Sequence, residues 1–91
     1  MGRVADGMTA KLRARFQPSR LELVDESARH AGHAGARPEG ESHFHLIIVA
    51  EAFRGLGRVA RQRLVHACLA EDLAGPVHAL SMETRAPDEV P

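Results

Sequence analysis

Ninety-one residues, 44% of them hydrophobic and 26% charged, give room for one hydrophobic core and no second one. Twelve basic residues balance twelve acidic ones, which excludes a surface that is one continuous phosphate-binding field and leaves at most a local basic patch. The single cysteine, Cys68, excludes an intramolecular disulfide and any cysteine-based zinc motif. Residues 1–91 are therefore read as one domain, with a core over about 3–86 and a polar, proline-rich tail at 87–91 that is expected to lack order. The longest apolar run is the five residues 46–50, so neither a signal peptide nor a membrane span is expected, and a cytoplasmic chain is the default expectation.

In chain order, Val4, Met8, Leu12 and Phe16 recur every four residues and predict a helix. Asp6 or Thr9 is expected to cap its start, and Gln17-Pro18 to end it. Residues 20–25 alternate as a half-buried strand, with Leu21 and Leu23 on one side of Glu22. A Gly/Ala/Pro-rich loop follows to about Ser42. Phe44, Leu46, Ile48 and Ala50 then share one face of a second strand, with Ile47 and Val49 on the other. Phe53 to Gly57 reads as a turn. Residues 58–74 hold no proline or glycine and carry an apolar helical face at Leu64, Val65, Cys68 and Leu69, and Gly75-Pro76 stops the helix. A third strand over 77–84 places His78 on the side of Leu80 and Met82, at the rim of the core. The order helix-strand-strand-helix-strand predicts an α+β two-layer sandwich, with a three-stranded sheet covered on one face by the helices.

Six histidines against one cysteine are the compositional oddity. His43 and His45 share the strand face opposite Phe44 and read as a solvated or partner-facing surface, and His66 as a surface residue on the long helix. His78 is set on regular backbone, whereas His30 and His33 sit in the loop. One rigid histidine and one or two on a loop form an incomplete ligand set, since closed imidazole sites for zinc, copper or iron take about four ligands. Completion by a partner is the better form of a metal hypothesis. Enzyme chemistry is not expected: there is no His-Glu-x-x-His spacing, Ser27 and Ser42 lack a nucleophile elbow, and Cys68 has no local sign of activation. Arg54, Arg58 and Arg61 fall three and four apart, and a continuing helix would align them as a phosphate-contacting or merely solvated stripe. Gly55-Leu56-Gly57 is not the GXXG clamp of RNA-binding KH domains, and no aromatic ladder offers a stacking surface.

Five segments in order resemble the BolA family: DES-x-x-H from Asp25 to His30, ESHF from Glu41 to Phe44, F-x-G from Phe53 to Gly55, R-x-R-L-V from Arg61 to Val65, and VHAL from Val77 to Leu80. Together they cover about residues 10–87. The resemblance implies a BolA-like fold, similar to the type II KH arrangement. It also implies a monothiol glutaredoxin as heterodimer partner, often bridged by a [2Fe–2S] cluster that serves in cluster assembly, transfer or iron and redox sensing. In that arrangement a glutaredoxin cysteine and a glutathione thiolate hold one side, and the BolA-like chain supplies a histidine from VHAL and a histidine or cysteine from the loop. Carried over, these are His78 and His30, with His33 as the alternative loop ligand. No cofactor is implied for the chain alone, which is expected to be a monomer or weak dimer.

The family's second implied role is transcriptional regulation in stress response and cell morphology, through DNA contacts of the KH-like surface. Its matching residues are Arg54, Arg58, Arg61 and Arg63. Two departures stand out. Arg61-Gln62-Arg63 replaces the R-H-R of many members, and the longer loop HAGHAGARPEG supplies the additional His33.

Overall fold

The computed structural model describes residues 2–27 and 40–89. Helix α1 (Arg3–Phe16) buries Ala5, Met8, Leu12 and Phe16, the expected stripe except that Ala5 is buried in place of Val4, which is only partly buried. Its start differs from the expectation. Neither Asp6 nor Thr9 caps it; the Glu41 side chain arrives from far along the chain, and its Oε1 accepts the N–H groups of Val4 at 3.0 Å and Ala5 at 3.1 Å. A carboxylate over two orphan donors at a helix N-terminus complements both the open N–H groups and the dipole. A Cβ at Gly2 would collide with that carboxylate, so the close approach needs glycine. The helix ends as expected, with Gln17 left-handed at φ 43° before Pro18.

Strand β1 (Arg20–Asp25) pairs antiparallel with β2 (His43–Val49), placing Leu21 opposite Ile48 and Leu23 opposite Leu46. Strand β3 (Ala79–Arg85) pairs parallel with β2, with Phe44 opposite Leu80 and Leu46 opposite Met82, and the sheet order is β1-β2-β3. A parallel pair needs a crossover, and the intervening chain supplies α2 (Arg58–Cys68) and α3 (Ala70–Ala74). The expected single helix over 58–74 is thus interrupted at Leu69. The deviation is local, because Leu69 N–H still reaches Val65 O and Leu73 N–H still reaches Leu69 O, both at 3.0 Å.

The core lies between the helices and one sheet face. Met8, Leu12 and Phe16 meet Phe44, Leu46 and Ile48 from the sheet and Val65 and Leu69 from the crossover. Phe53 closes one end, its ring 5.2 Å from that of Phe16. Lys11 Nζ donates to Asp72 Oδ2 at 2.9 Å and ties α1 to α3. The Cys68 thiol points at Lys11 O, 3.5 Å away, and burial pushes its pKa up, which disfavours a reactive thiolate. The architecture is the expected α+β sandwich, and among the described residues no helix is long and apolar enough to cross a membrane.

The expected lack of order in the tail is not what residues 87–89 show. Residues Pro87–Glu89 form a 3-10 turn, because a buried arginine holds them. Arg61 Nη1 and Nη2 donate to the two carboxylate oxygens of Glu89 at 2.6 and 2.7 Å, and Glu89 Oε1 also accepts the Ala86 N–H at 3.1 Å. Composition shows that the tail is polar; it does not show that the chain keeps a guanidinium for it. Arg61, helped by the Ala86 N–H, holds the Glu89 carboxyl down to about 2 against an ordinary 4.5. A depressed folded-state pKa means that the clamp contributes fully above pH 4.5 and is lost as pH falls toward 2. A carboxyl 13C titration of Glu89 is expected to show this low midpoint, and an ordinary one would mean that the clamp does not form.

Candidate functional site

The site is built at the root of the Gly/Ala-rich loop. Asp25 ends β1 and uses both carboxylate oxygens as staples: Oδ1 accepts Ser27 N–H at 2.9 Å and Oδ2 accepts Glu41 N–H at 3.1 Å. One side chain thus ties the chain entering the loop to the chain leaving it. On the returning side Gly40 and Glu41 are both left-handed, at φ 79° and 59°. For Glu41 that conformation is unfavourable, and three hydrogen bonds offset it, one from its amide to Asp25 and two accepted from the start of α1.

Ser42 follows, fully buried, and connects this root to the last strand. Its carbonyl accepts two successive amides, His78 N–H at 2.7 Å and Ala79 N–H at 3.1 Å. Its amide donates to Ser27 Oγ at 2.9 Å, and its hydroxyl lies 2.8 Å from His43 Nδ1. His78 is therefore fixed by its backbone to the residue that closes the loop, while its side chain remains exposed. It is exposed, whereas Leu80 and Met82 pack partly buried against the core, so the expected place at the core rim is not observed. Strand β3 begins only at Ala79, and the Ser42 carbonyl takes both amides at its start. The His78 ring instead lies beside His43, with centroids 5.2 Å apart and planes tilted by 48°.

His43 itself corrects the surface reading, since it is only 7% exposed. His45 keeps to the open sheet face: its Nδ1 lies 2.6 Å from Ser81 Oγ and its Nε2 3.2 Å from Glu83 Oε2, so both ring nitrogens are engaged. His66 is exposed on α2. His30 and His33, the expected loop ligands, lie outside the described residues. Among the described residues no three histidine, cysteine or carboxylate side chains gather as a metal site. An exposed imidazole on a fixed backbone, one hydrogen bond from the root of a histidine-bearing loop, fits a ligand set completed from elsewhere.

The arginines do not form the expected stripe. Arg54 precedes α2 and is paired with Glu51 at 2.8 Å and Asp88 at 2.9 Å. Arg61 is buried, and besides Glu89 it donates from Nε to Leu56 O at 2.8 Å and from Nη1 to Thr84 O at 3.0 Å. Both are occupied by structure. Arg58 and Arg63 are exposed. Arg58 lines a groove of about 200 Å³ with Gln62, Met82, Glu83, Thr84 and Arg85. That groove contains a carboxylate and no aromatic ring, and all three phenylalanines are buried, so it offers bases no stacking surface.

Sequence reasoning missed Asp25, Ser27, Glu41 and Ser42 as builders of this site and Glu89 as the partner of Arg61. A signal was present for the first four. Asp and Ser beside a Gly/Ala run are the residues that hydrogen-bond backbone at loop ends.

Comparison with known proteins agrees with this architecture. A family model described as BolA-like protein matches residues 12–89. Human BolA-like protein 1 is 44% identical over 87 residues, covering 96% of this chain and 61% of that protein, so the chain spans about three-fifths of that relative's length. The DNA-binding transcriptional regulator BolA of Escherichia coli strain K12 is 43% identical over 81 residues, covering 89% of this chain and 73% of that one. Among solved structures, the BolA domain of SufE1 from Arabidopsis thaliana superposes with a TM-score of 0.90 at 39% identity, covering 99% of both chains.

Proposed function

The chain belongs to the BolA-like protein family, and from that premise we propose that it is an adaptor that binds a monothiol glutaredoxin and shares a [2Fe–2S] cluster with it, with His78 as its fixed ligand. The observation that carries the reading is the bond between the His78 amide and the Ser42 carbonyl. It ties an exposed imidazole to the closing residue of the loop that bears His30 and His33. Asp25 binds the amides of Ser27 and Glu41, which flank the segment that carries both histidines, so its two ends are held beside Ser42. In the glutaredoxin complex, a cysteine and a glutathione thiolate would face the two imidazoles. Imidazole in place of thiolate on one iron raises the reduction potential, as in Rieske centres. Ligation also requires neutral imidazole, so acid weakens the hold of this chain on the cluster.

The DNA reading has less support. Arg54 and Arg61 are engaged by carboxylates, leaving Arg58 and Arg63 of the four, and the overall charge is balanced. The name of the E. coli relative keeps that reading in the comparison, and it predicts salt-sensitive binding weakened by Arg58→Ala and Arg63→Ala.

The test is an anaerobic titration of this chain into a cluster-loaded monothiol glutaredoxin with glutathione, followed by visible circular dichroism. The expected result is a new spectrum that saturates near one-to-one, altered further by His30→Ala or by His33→Ala, whichever removes the loop ligand. An unchanged spectrum would remove cluster sharing from the account.

A further inference from the structure

His78 has an exposed ring, and no hydrogen bond to it is found among the described residues. A ligand so placed samples several rotamers unless something else restricts it, and freezing them would weaken ligation. The structure supplies a restriction in two parts. The backbone of His78 is held by Val77, which is buried and donates its N–H to Asp72 O at 2.9 Å, and by the bond to Ser42 O. Beside its ring stands His43, which is far more rigid. His43 accepts Glu26 N–H at its carbonyl at 2.7 Å, donates its own N–H to Ser27 Oγ at 3.3 Å, and has Nδ1 2.8 Å from Ser42 Oγ.

Two buried serines orient the His43 ring. Ser27 Oγ accepts the N–H groups of Ser42 at 2.9 Å and His43 at 3.3 Å, which fills both acceptor positions of a hydroxyl. The Ser42 hydroxyl reaches Ser27 Oγ at 3.3 Å and stands 2.8 Å from His43 Nδ1. These contacts hold the His43 ring by its Nδ1 edge and set its orientation.

We propose that Ser42 and His43 are positioning residues for His78: the Ser42 carbonyl fixes its backbone, the Ser42 hydroxyl fixes His43, and the His43 ring forms the surface against which the His78 imidazole is held ready for a metal centre. This rests on the reading of His78 as a cluster ligand. Supporting residues of this kind commonly change metal affinity by about ten- to a hundredfold, so loss of the His43 ring should weaken cluster-dependent partner binding roughly tenfold. Ser42→Ala keeps the carbonyl and removes only the hydroxyl contact at His43 Nδ1, so its effect should be smaller.

Two measurements test it. In the free wild-type chain, NMR side-chain couplings are expected to show a single rotamer at His78. In His43→Ala the His78 couplings should average, and in His43→Phe, which retains a ring, they should stay closer to wild type. Averaged His78 couplings in the wild type overturn the proposal without any partner present. The glutaredoxin titration separates the two ideas. No spectral change with wild type removes the cluster reading, whereas an unweakened response from folded His43→Ala removes the positioning role and leaves that reading intact.

Discussion

Arg61→Ala is expected to lower stability by about 2 kcal/mol, roughly 10 °C in Tm for a domain of this size. The side chain is buried, and its loss leaves Leu56 O and Thr84 O without their donor and releases Glu89. Glu89 is 41% exposed and returns to water at little cost, which keeps the effect below that of breaking a fully buried ion pair. Arg58→Ala should change stability by less than about 0.5 kcal/mol, as for an ordinary exposed side chain. Thermal melts of the two variants check this directly. Equal melts would mean that Arg61 is not the anchor of the last strand and tail. The comparison also guards the nucleic-acid reading, since a binding loss in Arg61→Ala would follow from unfolding.

His78→Ala should show the opposite profile. The imidazole is exposed, so stability should stay within about 0.5 kcal/mol of wild type. Its amide still reaches Ser42 O, so the loop root and the start of β3 keep their connection. Sharing of the cluster, by contrast, loses its fixed ligand, and cluster-dependent affinity for the glutaredoxin should fall at least about tenfold, the lower end of what even supporting residues cost. Metal-free association, if the two proteins also touch directly, would persist. A large loss of Tm in His78→Ala would instead mean that the residue supports the fold.

The contrast between these two variants marks how far the sequence could be read. Strand and helix identities followed from spacing, because Leu21, Leu23, Phe44, Leu46 and Ile48 alternate and Met8, Leu12 and Phe16 recur at helical intervals. The VHAL segment singled out His78, but alternation placed it at the core rim, whereas it is exposed. Its amide and that of Ala79 share the Ser42 carbonyl, and a shared acceptor leaves no trace in residue type. Arg61 shows the same limit from the other side. An arginine three residues from Arg58 reads as one of a row until its carboxylate partner, twenty-eight residues away, is located. The cap on α1 was misassigned for the same reason, since Glu41 lies thirty-seven residues from Val4. Local pattern reports local structure; contacts distant in sequence appear only once the chain is folded.

Pulsed EPR of the reduced, glutaredoxin-bound cluster, prepared with this chain labelled with 15N-histidine, tests the central claim most directly. The account predicts a strong nitrogen coupling that changes with the label on this chain and is altered or lost in His78→Ala. A spectrum indifferent to the label would show that no histidine of this chain ligates the cluster, and would contradict it.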